Sequence, residues 1–214
     1  MELHGFWRSQ ASHRVRIALA LKGLDYRAIP VTLYGPEPAN RTAQYRTLNP
    51  QGLVPTLVDG RISISQSMAI IEYLDECYPE PPLMPDTVAG RALARQFAQM
   101  VVCDIQPMNN LRVLQYLRRT IGVDEEAKDR WYRHWILEGF DAIELWLTSL
   151  RHAGPYALGE AVTLADVCLV PQIEAARRFR INMDDFPQLA MLDEACAALT
   201  AFQVAAPQAQ PEAD

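Results

Sequence analysis

A cluster of prolines divides this chain into two halves of different character. Tyr78 to Pro85 holds four prolines and no apolar periodicity. Proline lacks an amide donor and fixes its own φ, so neither a helix nor a central strand runs through such a stretch. It reads as a linker between domains, taken here as residues 78–87. Ahead of it, short apolar runs alternate with helical ones. Behind it, every segment carries helical periodicity. The expectation is an α/β domain over residues 1–80 followed by an all-helical domain over 88–214.

Within the first half, Leu3–Phe6 is a short apolar strand candidate. Ser12–Lys22 predicts a helix, stopped by Gly23. Tyr26–Leu33 carries Ile29, Val31 and Leu33 at period two and predicts a strand. Tyr34–Asn40, with Gly35, Pro36 and Pro38, predicts a loop, and Arg41–Leu48 a weak helix ended by Asn49-Pro50. Thr56–Val58 and Ile62–Ile64 flank Asp59-Gly60, a hairpin signal, and Ser67–Cys77 predicts a helix with Ile70, Ile71 and Leu74 in the core. The order is βαβ, then α, then ββα. A helix between the first two strands implies a parallel pair, and the late hairpin adds an antiparallel one. In the second half, helices are expected over Val88–Arg119, Glu125–Leu150, Thr163–Arg178 and Gln188–Leu199. Val162–Val167 has the pattern of a capping box, with Thr163 as N-cap and Asp166 reaching back. The tail Ala205–Asp214 is expected to fray.

Composition narrows the function. The net charge is −6 over 214 residues, so nothing draws the chain to nucleic acid or an anionic membrane. An acidic protein that binds an acidic substrate must then gather arginines locally. The first residues show no cationic stretch followed by an apolar run, and no run approaches the roughly 20 apolar residues of a membrane span. Cys77, Cys103, Cys168 and Cys196 are scattered, with no CxxC pair. Reduced thiols in the cytoplasm fit better than a disulfide framework or a zinc site, and no metal is expected. Cys103 and Cys168 lie in apolar helical stretches and read as small core residues. Gly-rich phosphate loops, HExxH and GxSxG are absent.

Three segments carry chemistry. The first, Phe6 to Arg14, joins a strand to a helix and holds Ser9 and Ser12. A hydroxyl there lies near the positive end of a helix, where free N–H groups stabilise an anion. Ser12 stands where an N-cap serine belongs, while Ser9, a turn earlier, is left for a ligand. The second, Asn49 to Thr56, places Pro55 at the mouth of a strand. An ordinary trans proline would do this; a cis one would free the Val54 N–H and C=O for a ligand. The third, Ser65 to Ile70, combines the Gln66 amide, the Ser67 hydroxyl and the first N–H groups of a helix. That suits a carboxylate beside an ammonium group, and equally a plain serine cap.

Together these segments resemble a known family. FWRS (6–9), SHRVRIALALKG (12–23), NPQGLVPTL (49–57) and SQSMAIIEYL (65–74) are similar in order and spacing to the glutathione transferases. The wording resembles the zeta class, which includes maleylacetoacetate and maleylpyruvate isomerases. The likeness continues through CDIQPMNNLR (103–112), LGE (158–160), TLAD (163–166), PQ (171–172) and RRF (177–179), nearly the whole chain. It implies a thioredoxin-like N-terminal domain, a helical C-terminal domain, glutathione as cofactor, a homodimer and a cytoplasmic enzyme of aromatic-compound and tyrosine catabolism.

The resemblance also implies roles. Ser9 would hydrogen-bond the glutathione sulfur, Val54 would pair its backbone with the cysteinyl unit ahead of a cis Pro55, and Gln66 and Ser67 would hold the γ-glutamyl end. Gln106 and Asn110 would border the same site. Many zeta members carry cysteine where this chain has Ala11, so the thiolate work should fall on Ser9, with Ser12 as a second hydroxyl. The implied reaction adds a thiolate to a cis double bond conjugated to a carbonyl. The bond becomes single, rotates, and releases the thiolate as the trans isomer; the protein must favour thiolate and stabilise the enolate. Maleyl substrates carry two carboxylates, which arginine binds bidentately. Arg8, Arg112 and Arg178 are the candidates, although an arbitrary arginine is most often a solvated surface residue. Arg118, Arg119, Arg177 and Arg180 read as surface, and His13 as structural.

Two other readings stand beside the isomerase. A general transferase or peroxidase acting on electrophiles would keep Ser9 without needing three arginines. A non-enzymatic binding module would need none of the Ser9, Pro55 and Gln66-Ser67 set.

Overall fold

The computed structural model describes residues 1–150 and 154–213. The chain divides into two compact units, Met1–Leu83 together with Ala198–Asp214, and Met84–Ala197. In the first unit a mixed sheet of four strands forms from β1 (Glu2–Gly5), β2 (Arg27–Pro30), β3 (Thr56–Asp59) and β4 (Ile62–Ser65), in the order β2-β1-β3-β4. β1 and β2 run parallel, as the intervening helix requires, and β1–β3 and β3–β4 are antiparallel. β2 is shorter than the sequence pattern suggests. It ends at Pro30 on the sheet edge, where a missing donor is tolerated, although Val31 still donates to the Gly5 carbonyl at 2.7 Å.

The helices of this unit are α1 (Gln10–Leu21), α2 (Ala43–Leu48) and α3 (Ser67–Cys77). α1 is buried continuously from Ser12 to Leu19 because α3 and the C-terminal α9 (Thr200–Ala205) both pack on it. Leu3, Val15, Leu57, Ile70, Ile71 and Leu74 fill the core. The expected fraying of the tail is corrected here. Phe202, Ala205 and Pro207 are buried, and Arg16 holds the Ala205 carbonyl through Nε at 2.9 Å. Residues 198–213 therefore complete the first unit, although they follow the helical half in sequence; Asp214 lies outside the described residues.

The proline-rich stretch is pinned at its start. The Lys22 ammonium meets Asp75 Oδ1 at 2.8 Å and the carbonyls of Tyr78 and Pro81 at 2.6 and 2.9 Å. Asp75 also accepts the Leu83 N–H at 2.8 Å. A buried ammonium is tolerable because three acceptors serve its three donors.

The second unit is helical: α4 (Val88–Gln99), α5 (Leu111–Tyr116), α6 (Glu125–Ser149), α7 (Leu164–Arg178) and α8 (Pro187–Ala197). The single helix expected over Val88–Arg119 is two. After α4 the backbone widens into a π-helical turn over Met100–Ile105, and Asn110 then caps α5 with its Oδ1 on Arg112 N at 3.1 Å. Pro107 supplies no amide to continue the ladder across the break. The same widening accounts for a second correction: Cys103 is exposed, because the π turn rotates it away from the apolar face, whereas Cys168 is buried. The α7 capping box forms as the sequence pattern requires. Asp166 is fully buried. It accepts from Ala157 N at 2.7 Å, Thr163 N at 2.8 Å and the Thr163 hydroxyl at 3.1 Å. Burial pushes its carboxyl above the usual range, and these donors pull against that rise. Among the described residues, no helix is long and apolar enough to cross a membrane.

Candidate functional site

Sheet register brings the three chemistry-bearing segments together. β1 ends at Gly5 and leads into Phe6–Ser9, β3 begins immediately after Val54-Pro55, and β4 ends at Ser65, just before Gln66-Ser67. The pairs His4↔Thr56 and Thr56↔Ser65 put these three ends side by side. Adjacent strands lie about 4.8 Å apart, so the segments leave the sheet within roughly 10 Å of one another.

At the first segment the capping part falls to Ser9, not to Ser12. α1 begins at Gln10, not Ser12, and Ser9 is its N-cap, its Oγ accepting the Ser12 N–H at 3.3 Å. Serines three residues apart both match a cap pattern, and only the helix start decides between them. Ser12 has no exposure, and its Oγ accepts the Phe6 N–H at 3.3 Å, bracing the turn from β1 into α1. Capping uses a lone pair on Ser9, so its O–H proton remains to be donated.

At the second segment the Val54–Pro55 peptide is cis. Among the described residues no hydrogen bond engages the Val54 amide or carbonyl. The loop ahead of it is held by residues not recognised in the sequence as supports. The Leu53 carbonyl accepts both the Tyr45 hydroxyl and the Asn49 side-chain amide, each at 2.7 Å. Asn40 Nδ2 holds the Gly52 carbonyl at 2.7 Å. A polar side chain that repeatedly meets loop carbonyls leaves no periodic signature, so the one available cue was Asn49 ahead of Pro50.

At the third segment α3 starts without a side-chain cap, and its entry residue Gln66 has φ 73°. A non-glycine residue there costs on the order of 1–3 kcal/mol and persists where its surroundings impose it. Gln66 Nε2 donates to Gln51 Oε1 at 2.7 Å, a clasp between the second and third segments.

The arginine candidates lie in both units. Arg8 is exposed, its guanidinium 5.4 Å from the Trp7 ring centre and 5.5 Å from that of Tyr34. Arg112 and Arg178 are exposed residues of the second unit with no ion pair among the described residues, as are Arg119 and Arg180. Arg177 instead binds Asp193 at 2.6 Å, and Arg118 pairs with Glu125. Gln106 and Asn110 stand at the break before α5, with Asn110 Oδ1 occupied as the cap.

Residues 8–77 match the family described as glutathione S-transferase, N-terminal domain. The chain is 49% identical over 212 residues to a maleylpyruvate isomerase of a Ralstonia species, covering 99% of each. A solved holo structure of a maleylpyruvate isomerase, a bacterial glutathione S-transferase in the zeta class, superposes with a TM-score of 0.96 at 48% identity, covering 100% of both chains. A maleylacetoacetate isomerase from Anaeromyxobacter dehalogenans, solved with glutathione in its active site, gives a TM-score of 0.86 at 40% identity, covering 100% of this chain and 97% of that one. This chain belongs to the zeta class of the glutathione S-transferase family.

Proposed function

We propose that this protein is a glutathione-dependent cis–trans isomerase of a maleyl keto acid, of the maleylpyruvate or maleylacetoacetate kind. The observation that carries the reading is the end-to-end likeness to zeta-class isomerases, combined with three intact cofactor-side segments at one end of the sheet. The residues present fit glutathione. The N-terminus of α3, which no side chain caps, suits the γ-glutamyl carboxylate and ammonium together with Gln66 and Ser67. The unengaged Val54 backbone suits the cysteinyl amide, and the Ser9 O–H is available to the sulfur.

When bound, glutathione supplies a thiolate that adds reversibly to the cis double bond and leaves it free to rotate. Ser9 donates its hydroxyl proton toward the sulfur, and the N-terminus of α1 favours negative charge beside it. Ser12 acts through position alone, holding Phe6 and thereby the turn that carries Ser9. Gln106 and Asn110 border the cofactor from the helical unit. Arg8, Arg112 and Arg178 take the substrate carboxylates, which the net charge of −6 would otherwise repel. The protein works as a cytoplasmic homodimer.

Side-by-side assays with maleylpyruvate and maleylacetoacetate assign the keto acid. Arg8→Met or Arg178→Met should each lower kcat/KM for it by roughly one to two orders of magnitude, since losing a charged hydrogen-bond partner costs about 1.5–3 kcal/mol. Lysine should rescue only part, because the bidentate fork is lost. Added salt should weaken the dianion reaction more than turnover of an uncharged electrophile. If both substrate types suffer equally in the arginine variants, the dicarboxylate reading is wrong.

A further inference from the structure

Tyr34 stands in the Tyr34–Asn40 loop, a stretch with no motif in the sequence, yet it lies against the residue beside the catalytic serine. Its ring centre is 5.5 Å from the Arg8 guanidinium carbon, and its hydroxyl accepts from Arg8 Nη2 at 3.4 Å. Trp7 covers the guanidinium at 5.4 Å. Arg8 makes no other hydrogen bond or ion pair among the described residues. Most of its five N–H donors therefore remain unused.

The tyrosine is held from its own side. Phe6 packs against it with ring centres 5.6 Å apart, and against Trp7 at 5.8 Å. The loop is closed at its base, where Ala39 N donates to Thr32 Oγ1 at 3.2 Å, and Asn40 ties the far end to Gly52. Tyr34 thus keeps its place independently of Arg8. An exposed arginine normally loses side-chain freedom when it clamps a ligand, and that loss weakens binding. Here two aromatic faces hold the guanidinium before any substrate arrives. A hydrogen bond as long as 3.4 Å in an exposed position adds little, so the ring carries the effect.

We propose that Tyr34 is a positioning and specificity-determining residue, whose ring pre-orients Arg8 to clamp a carboxylate of the keto acid substrate. The inference rests on the reading of Arg8 as a carboxylate ligand. Its test is a double-mutant cycle on the full-length protein at saturating glutathione, reading KM and kcat for maleylpyruvate, with thermal melts to verify folding. Tyr34→Leu should raise KM about two- to fivefold, the range of an exposed cation–π contact, with kcat nearly unchanged. Tyr34→Phe should restore KM to within about twofold of the parent, because the ring is kept. In an Arg8→Met background, Tyr34→Leu should add nothing further to KM. A Tyr34→Leu protein with unchanged KM, while Arg8→Met raises it, overturns the role of Tyr34 and leaves that of Arg8 intact. A Tyr34→Leu effect that persists in full without Arg8 also overturns it. If Arg8→Met itself leaves KM unchanged, the carboxylate reading of Arg8 fails, and this inference falls with it.

Discussion

α1 and α3 begin at the same end of the same sheet, yet their first turns are finished in opposite ways. α1 receives a serine cap from its own chain, Ser9 Oγ on Ser12 N, and Ser12 in turn braces Phe6. α3 has no side-chain cap, and Gln66 enters it in a conformation that side chains rarely adopt. The cap satisfies one first-turn donor of α1 from within the chain. A start without a side-chain cap, behind a strained residue, carries a cost that folding alone does not require. In the proposed function the difference separates two tasks: α1 would hold the Ser9 hydroxyl in place, and α3 would receive the γ-glutamyl charge. The buried box at the start of α7, closed by Asp166 on three donors, is the fully self-satisfied extreme.

The largest effect that could break this comparison is at Ser9, which caps α1 and, in the proposed function, also serves the sulfur. Ser9→Ala and Ser9→Gly should each raise the pKa of bound glutathione and slow turnover by about 3 kcal/mol, roughly two orders of magnitude. Glycine is itself an acceptable N-cap. Ser9→Ala should therefore cost about 1 kcal/mol of stability, and Ser9→Gly only a few tenths. Ultraviolet titration of the bound thiolate and chemical denaturation measure the two roles separately. An unshifted titration in both variants removes Ser9 from the chemistry and leaves it a cap.

Asp166 probes the opposite extreme. Asp166→Ala should destabilise the fold by about 2–3 kcal/mol, because the buried N–H groups of Ala157 and Thr163 lose their acceptor. At temperatures where the variant is folded, kcat/KM should match the parent. A variant that melts normally but loses activity would move Asp166 from scaffold to active site.

The smallest effect should come from Gln66. Gln66→Gly removes the Cβ from a position at φ 73°, so the ligand-free protein should gain up to about 1 kcal/mol. Glutathione should bind about tenfold more weakly, matching the loss of roughly one hydrogen bond to a charged group. Calorimetric titration and a thermal melt check this directly. Tighter binding by the glycine variant would show that the strain at Gln66 works against the ligand rather than for it.

Much of the fold was legible from local patterns. The βαβ-α-ββα order follows from strand-length apolar runs and the Asp59-Gly60 turn, and the capping box from Thr163 and Asp166 three residues apart. The three segments, each open to a plain structural reading alone, were recognisable through their order and spacing together, which resemble the glutathione transferases. The helix break at Gln106–Asn110 carried local signals in Pro107 and Asn109-Asn110, although one helix was expected through it, whereas the π turn before it has no composition of its own. That Ser9 and not Ser12 caps α1 was hidden, because two serines three residues apart satisfy the same rule.

What the sequence determined by itself was therefore the kind and order of the elements, and which residue types stand at their ends. Those depend on interactions within a few residues. What only the tertiary structure decided was which group each of those residues meets. Strand register brought Ser9, Val54 and Gln66 to one end of the sheet, and packing on α1 recruited residues 198–213 into the first unit. A loop without a motif delivered Tyr34 to Arg8, 26 positions away in sequence. Contacts of that kind depend on how several elements close on one another, and no short stretch of chain encodes them.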